Sequence, residues 1–96
     1  MITIISGTNR KNSISIQVAK QYQAILSELG TESTIVDLEQ LPADFIATAL
    51  YENQGNNAEF NPTREHMKEA QKYVFIVPEY NGSFPGVLKT FLDALE

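Results

Sequence analysis

The sequence predicts an α/β fold, a doubly wound parallel sheet layered between helices, and three observations carry that prediction. Short β-rich apolar runs alternate with helical stretches along the chain, the pattern of repeated strand-helix-strand crossovers. The runs at Met1–Ser6 and Tyr73–Val77 are apolar with little alternation, as suits strands covered on both faces. The segments richest in turn formers and hydroxyls follow those same two runs, at the strand ends where open α/β sheets place their ligands.

Met1 to Ser6 contains Ile2, Ile4 and Ile5 with Thr3 and is bounded by Gly7, so it is the first predicted strand. From Ser13 onward, Ile14, Val18, Tyr22, Ile25 and Leu29 recur at helical spacing and form one apolar stripe, expected to face the core. Ser13 is placed to cap that helix, and Gly30 to end it. Ser33 to Leu38 is short and β-rich and comes directly after a helix, as a parallel crossover requires. It is the second strand.

Glu39 to Asn61 mixes partly helical residues with the turn formers Asn53 to Asn57, and a mobile surface loop is expected there. Asn61-Pro62 supplies an N-cap and a proline for the first turn of a short helix over Thr63 to Lys72. Tyr73 to Val77 is the strongest candidate for a central strand. After the loop Pro78 to Gly86, the residues Val87, Leu88, Phe91, Leu92 and Leu95 mark a last amphipathic helix. Right-handed crossovers leave few topologies for this order.

Composition narrows the function classes. With 96 residues the chain suits a single domain over 1–96, since cores usually run from about 50 to 200 residues. No apolar run approaches the roughly 20 residues of a membrane span, and no basic n-region marks a signal peptide, which implies a cytoplasmic protein with no membrane partner. The absence of cysteine excludes disulfides, thiolate metal sites and cysteine nucleophiles. A net charge of -5 argues against nucleic acid as the main partner, so any phosphate must be held locally.

Two loops offer such local chemistry. The first, Ser6 to Ser15, opens the first helix: unpaired helix amides attract an anion, Thr8, Ser13 and Ser15 add hydroxyls, and Arg10 adds a charge. Ser13 could equally serve only as a cap. The loop has neither the three-glycine dinucleotide fingerprint nor the Walker lysine pattern, which leaves a monophosphate as the better guest. In the second loop, Pro78-Glu79-Tyr80-Asn81-Gly82-Ser83-Phe84-Pro85-Gly86, Tyr80 and the backbone near Gly82 could cover a flat heteroaromatic ring. A proline-fixed turn with Tyr80 packed on the surface is the alternative. Glu79 fits a solvated carboxylate and His66, among Arg64, Glu65 and Lys68, a surface histidine, so neither is assigned catalysis; no metal site is assigned either.

The stretch Gly7-Thr8-Asn9-Arg10-Lys11-Asn12-Ser13-Ile14-Ser15, followed by Pro78 to Lys89, resembles the paired signature of the NAD(P)H-dependent FMN reductases, which have a flavodoxin-like fold. Thr8 stands where the family usually has serine and Ser15 where it has asparagine, while Arg10 and Ser13 match directly. The resemblance spans almost the whole chain and implies that Thr8, Arg10, Ser13, Ile14 and Ser15 bind the FMN phosphate. It further implies that Pro78, Glu79, Tyr80, Asn81 and Gly82 contact the isoalloxazine and ribityl groups.

It implies hydride transfer from NAD(P)H to FMN and delivery of electrons to a small acceptor such as a quinone or azo compound. A flavodoxin-type electron carrier and a non-catalytic truncated oligomeric fragment are the alternatives. By the same resemblance the strand order is 2-1-3, with strands 4 and 5 of the family domain absent, so the third strand becomes an open edge. A homo-oligomer, dimer or tetramer, is expected to cover it, with the helix Val87 to Leu95 and Phe84 as an interface.

Overall fold

The first strand, β1 (Ile2–Ser6), sits between β2 (Ser33–Asp37) and β3 (Lys72–Ile76) and pairs in parallel with both, so that Ile4 faces Ile35 on one side and Val74 on the other. The sheet order is therefore β2-β1-β3, in a computed structural model that describes residues 1–42, 45 and 60–95. Covered on both faces and paired along both edges, β1 buries Ile4 and Ile5 to 0% exposure. Successive strand side chains point to opposite faces, which puts Thr3 and Ile5 on one side and Ile4 and Ser6 on the other.

Helix α1 (Ile14–Glu28) begins where expected: the Ser13 hydroxyl accepts from the Ile16 amide at 3.0 Å. It ends in a Schellman motif, with Thr31 N–H bonded to Leu26 O at 2.9 Å, Gly30 N–H to Ser27 O at 3.0 Å, and Gly30 at φ +82°. The face it presents is not the expected one. Ile14, Val18, Tyr22, Ile25 and Leu29 are all exposed, Ile14 to 78%, while Ser15 and Ala19 are buried and Ile16, Gln23 and Leu26 are half-buried. The two stripes have the same spacing and differ by one residue, about 100° around the helix. The stripe with the small side chains of Ser15 and Ala19 faces inward, where small residues allow a close approach to the sheet, and Gln23 Nε2 donates to Ser33 O at 3.0 Å.

Strand β2 stops at Asp37, one residue earlier than expected, because the Asp37 carboxylate accepts from the Glu39 amide at 3.0 Å and turns Leu38–Gln40 into a single 3-10 turn. Most of the segment expected to be a mobile surface loop, residues 43–44 and 46–59, lies outside the described residues. Two described residues within the expected loop instead join the core. Phe45 and Phe60 are buried with ring centroids 4.9 Å apart, and Phe60 meets Phe91 edge-on at 5.8 Å.

Helix α2 (Asn61–Glu69) is shorter than expected, and Lys72 begins β3 instead of closing the helix. Phe60 holds the cap position without a side-chain bond; Asn61 is not the cap, because its Oδ1 accepts from Arg64 Nη1. Arg64 is only 7% exposed, and it donates from Nε and Nη2 to the Ala94 carbonyl at 3.1 and 2.7 Å. That carbonyl ends helix α3 (Gly86–Ala94), where intrahelical donors run out and a cation is favourable. His66 is half-buried with Nε2 3.2 Å from Thr3 Oγ1, so it packs against the sheet instead of lying on the surface.

Val87, Leu88, Phe91 and Ala94 of α3 are buried against Ile5 and Met67, so most of the helix expected to form an interface serves this chain's own core; Phe84 and Leu92 remain exposed. β3 is an edge among the described strands. Tyr73, Phe75 and Val77 are 44%, 42% and 41% exposed, and Tyr73 and Phe75 line an apolar groove of about 300 Å³ with Met67, Lys68, Leu92 and Leu95. No helix among the described residues is long and apolar enough to cross a membrane.

Candidate functional site

The two loops meet at the carboxyl ends of β1 and β3, and Gly7 is the reason. Its amide donates to the Ile76 carbonyl at 2.8 Å, which continues the β1–β3 pairing by one residue. A Cβ at this position would lie 3.1 Å from that same carbonyl and 3.4 Å from the side chains of both Leu88 and Val77. A side chain here would force its neighbours to give by a few tenths of an ångström, so glycine suits this close approach to β3. The following residue, Thr8, is thereby delivered to the second loop, where it is 1% exposed.

Thr8 and Tyr80 are in direct contact. Their hydroxyl oxygens are 2.5 Å apart, the Thr8 oxygen also accepts from the Arg10 amide at 3.3 Å, and the Arg10 guanidinium lies over the Tyr80 ring, 4.5 Å from its centroid. Thr8, Arg10 and Tyr80 thus form one cluster from two segments about seventy residues apart in sequence. Tyr80 is half-buried in this cluster, not merely packed on the surface.

The rest of the first loop leads into α1. Asn12 takes a positive φ of 52°, a conformation asparagine tolerates better than most residues, and turns the chain so that Ser13 can cap. The cap satisfies the Ile16 amide; the Ile14 and Ser15 amides also belong to the first turn, where intrahelical acceptors are lacking. Ser13 is half-buried and Ser15 buried, whereas the Ile14 side chain projects outward. The Ser6 hydroxyl, at the end of β1, is fully buried and has no hydrogen-bond partner among the described residues. Sequence reading overlooked Ser6 as a candidate; the available signal was a hydroxyl closing an otherwise apolar strand.

The second loop holds itself rigidly. Tyr80 and Ser83 exchange both backbone hydrogen bonds, at 2.8 and 3.1 Å, and Asn81 and Gly82 between them have φ of 53° and 83°, the signature of a type I′ turn. Glu79 is exposed, yet its carboxylate accepts from the Gly82 amide at 2.9 Å, so it braces the turn. The Gly82 and Ser83 amides are consequently engaged within the loop. Among the described residues no protein group takes the Asn81 N–H, which leaves it available at the turn's exposed tip.

The donor set fits a flavin monophosphate: a helix-opening turn with hydroxyls and a guanidinium, an unpartnered buried hydroxyl at the adjoining strand end, and a rigid turn alongside with an open amide.

Comparison with known proteins adds independent findings. A family model described as NADPH-dependent FMN reductase matches residues 1–96. A quinone reductase of Pseudomonas putida is 33% identical over 100 residues, covering 96% of this chain and 47% of that protein. An FMN reductase (NADPH) of Pseudomonas aeruginosa is 28% identical and is matched over 50% of its length. A solved apo structure of an NADH:FMN oxidoreductase superposes with a TM-score of 0.79 at 26% identity, covering 99% of this chain and 49% of the other. The chain spans about half the length of the curated relatives with which it aligns throughout.

Proposed function

Because the chain belongs to the NADPH-dependent FMN reductase family, we propose that residues 1–96 form one unit holding FMN between its two strand-end loops and serving NAD(P)H-dependent reduction of a small acceptor. The single observation that best supports this is the 2.5 Å contact between Thr8 and Tyr80, since it makes neighbours of the two loops that one cofactor would have to bridge.

In this arrangement Thr8, Ser13 and Ser15 donate hydroxyls to the phosphate, the first-turn amides of α1 add theirs, and Arg10 supplies the opposing charge. A chain of net charge -5 has little general attraction for a dianion, so affinity depends on these few groups. Pro78 to Gly82 line the ring and ribityl groups, with the Asn81 amide as the available donor and Glu79 holding the turn in shape. When bound, FMN would supply the redox chemistry, hydride acceptance from NAD(P)H and electron delivery to a quinone, azo compound or similar acceptor. The protein positions these partners and needs no acid or base of its own. A cytoplasmic location and a homo-oligomer that covers β3 complete the proposal.

A non-catalytic chain that assembles through β3 is the second reading, favoured by the exposure of Tyr73, Phe75 and Val77. Mixing the FMN-loaded chain with NADPH without oxygen separates the two. Bleaching of the flavin absorbance, with recovery on adding a quinone, is the expected result; flavin that stays oxidised contradicts reductase function.

A further inference from the structure

We propose that Tyr80 acts on the phosphate loop as a positioning residue, setting Thr8 as a hydrogen-bond donor and Arg10 as a cation for the phosphate; the inference rests on the FMN reading above. Besides the ring contact that its place in the second loop suggests, its side chain reaches the first loop. The hydroxyl meets Thr8 Oγ1 at 2.5 Å and the ring carries the Arg10 guanidinium at 4.5 Å.

The proton count gives this contact a direction. A threonine hydroxyl has two acceptor sites and one proton, and the Arg10 amide occupies one acceptor site of Thr8 at 3.3 Å. Tyr80 is a phenol, a far better proton donor than an alkyl alcohol, so its O–H fills the second site. The Thr8 proton is then the one group of that hydroxyl left to give, and a phosphate oxygen is the acceptor it suits. Were the Tyr80 hydroxyl missing, the Thr8 proton could rotate among other acceptors and the preference would be lost.

Arg10 benefits in parallel. The two ion pairs among the described residues join Lys68 to Glu65 and Lys89 to Asp93, and neither involves Arg10. A ring face is a perch for a guanidinium that restricts its rotamers without neutralising its charge or occupying its N–H groups. A carboxylate in the same place would do both. The Tyr80 side chain therefore holds the two phosphate-directed groups by two different parts of one residue, and the rigid turn from Tyr80 to Ser83 fixes where that residue stands.

The test compares FMN with riboflavin, which lacks the phosphate, in equilibrium fluorescence titrations of the whole chain and of Tyr80→Phe, Tyr80→Leu and Thr8→Val. Tyr80→Phe keeps the ring and is expected to reduce the FMN-over-riboflavin preference about three- to tenfold, the range of one lost hydrogen bond between uncharged groups. Tyr80→Leu removes the Arg10 perch as well and reduces it further. Thr8→Val combined with Tyr80→Phe is expected to cost no more than Thr8→Val alone, because both act through one proton. A preference that survives Tyr80→Phe unchanged, or losses that simply add, overturns the proposal. If the unmodified chain binds neither flavin, the cofactor reading fails by itself. Amide hydrogen exchange of residues 9–13 in the ligand-free chain then decides the positioning role: faster exchange in Tyr80→Phe supports it and identical exchange refutes it.

Discussion

β1 and β3 are made of similar residues and have opposite surroundings. Ile4 and Ile5 of β1 are wholly inaccessible, whereas Tyr73 and Phe75, in register beside Thr3 and Ile5 on β3, are more than 40% exposed. Composition alone would have made β3 the more buried of the two. What separates them is position: β1 has a strand on each side and helices on both faces, while β3 has one neighbour among the described strands and an open groove. An apolar run therefore reports how much burial a strand is built for, not how much this chain provides. The loops that follow the strands differ as well. The one after β1 starts from a buried Ser6 hydroxyl that has no partner among the described residues and runs into a helix start, and the one after β3 closes on itself in a hydrogen-bonded turn.

The largest effect expected from this contrast is in the core. Ile5→Ala removes a fully buried side chain from the core cluster that includes Phe91 and Leu88 and should cost about 2–5 kcal/mol of unfolding free energy by urea titration, against less than about 1 kcal/mol for Val77→Ala at the edge when both are measured at concentrations where the chain is monomeric. Equal losses at that dilution would show that β3 is covered without a second copy of the chain. Next is Gly7→Ala, where the added methyl meets the Ile76 carbonyl at 3.1 Å; overpacking of this kind costs about 1–3 kcal/mol, and the two loops should separate with a parallel loss of flavin affinity. Asn81→Ala places an ordinary residue at φ 53° and should cost about 1 kcal/mol, with Asn81→Gly close to neutral in thermal unfolding. The smallest expected effect on stability is at the exposed edge. Phe75→Lys should change the unfolding free energy of the monomeric chain by no more than about 0.5 kcal/mol while shifting sedimentation at higher concentration toward smaller species, since an edge charge opposes strand pairing.

Much of this architecture was legible in the sequence because it depends on local signals. Gly7 bounding β1, Ser13 capping α1, Gly30 closing it and Asn81-Gly82 turning the second loop each have a backbone reason that one or two residues announce. The strand order followed from the family resemblance and the crossover rule. Periodicity failed where two stripes competed: Ile14, Val18, Tyr22, Ile25 and Leu29 have the greater hydrophobicity, but the sheet receives Ser15 and Ala19, a choice made by close packing. Asn61 and His66 were misread for a related reason. Each is engaged by a partner that the fold supplies, Arg64 for the first and Thr3 for the second, and no local pattern predicts such partners. The same holds for Tyr80, whose ring and hydroxyl are directed by residues seventy positions earlier.

The central claim is that the loops after β1 and β3 hold one flavin by its phosphate. Titrating the chain with FMN while following flavin fluorescence, then repeating with Arg10→Ala, tests it most directly. The account predicts saturable binding that weakens about tenfold or more without Arg10, as loss of a charge-assisted contact to a dianion requires. Binding of equal strength in both proteins would contradict it.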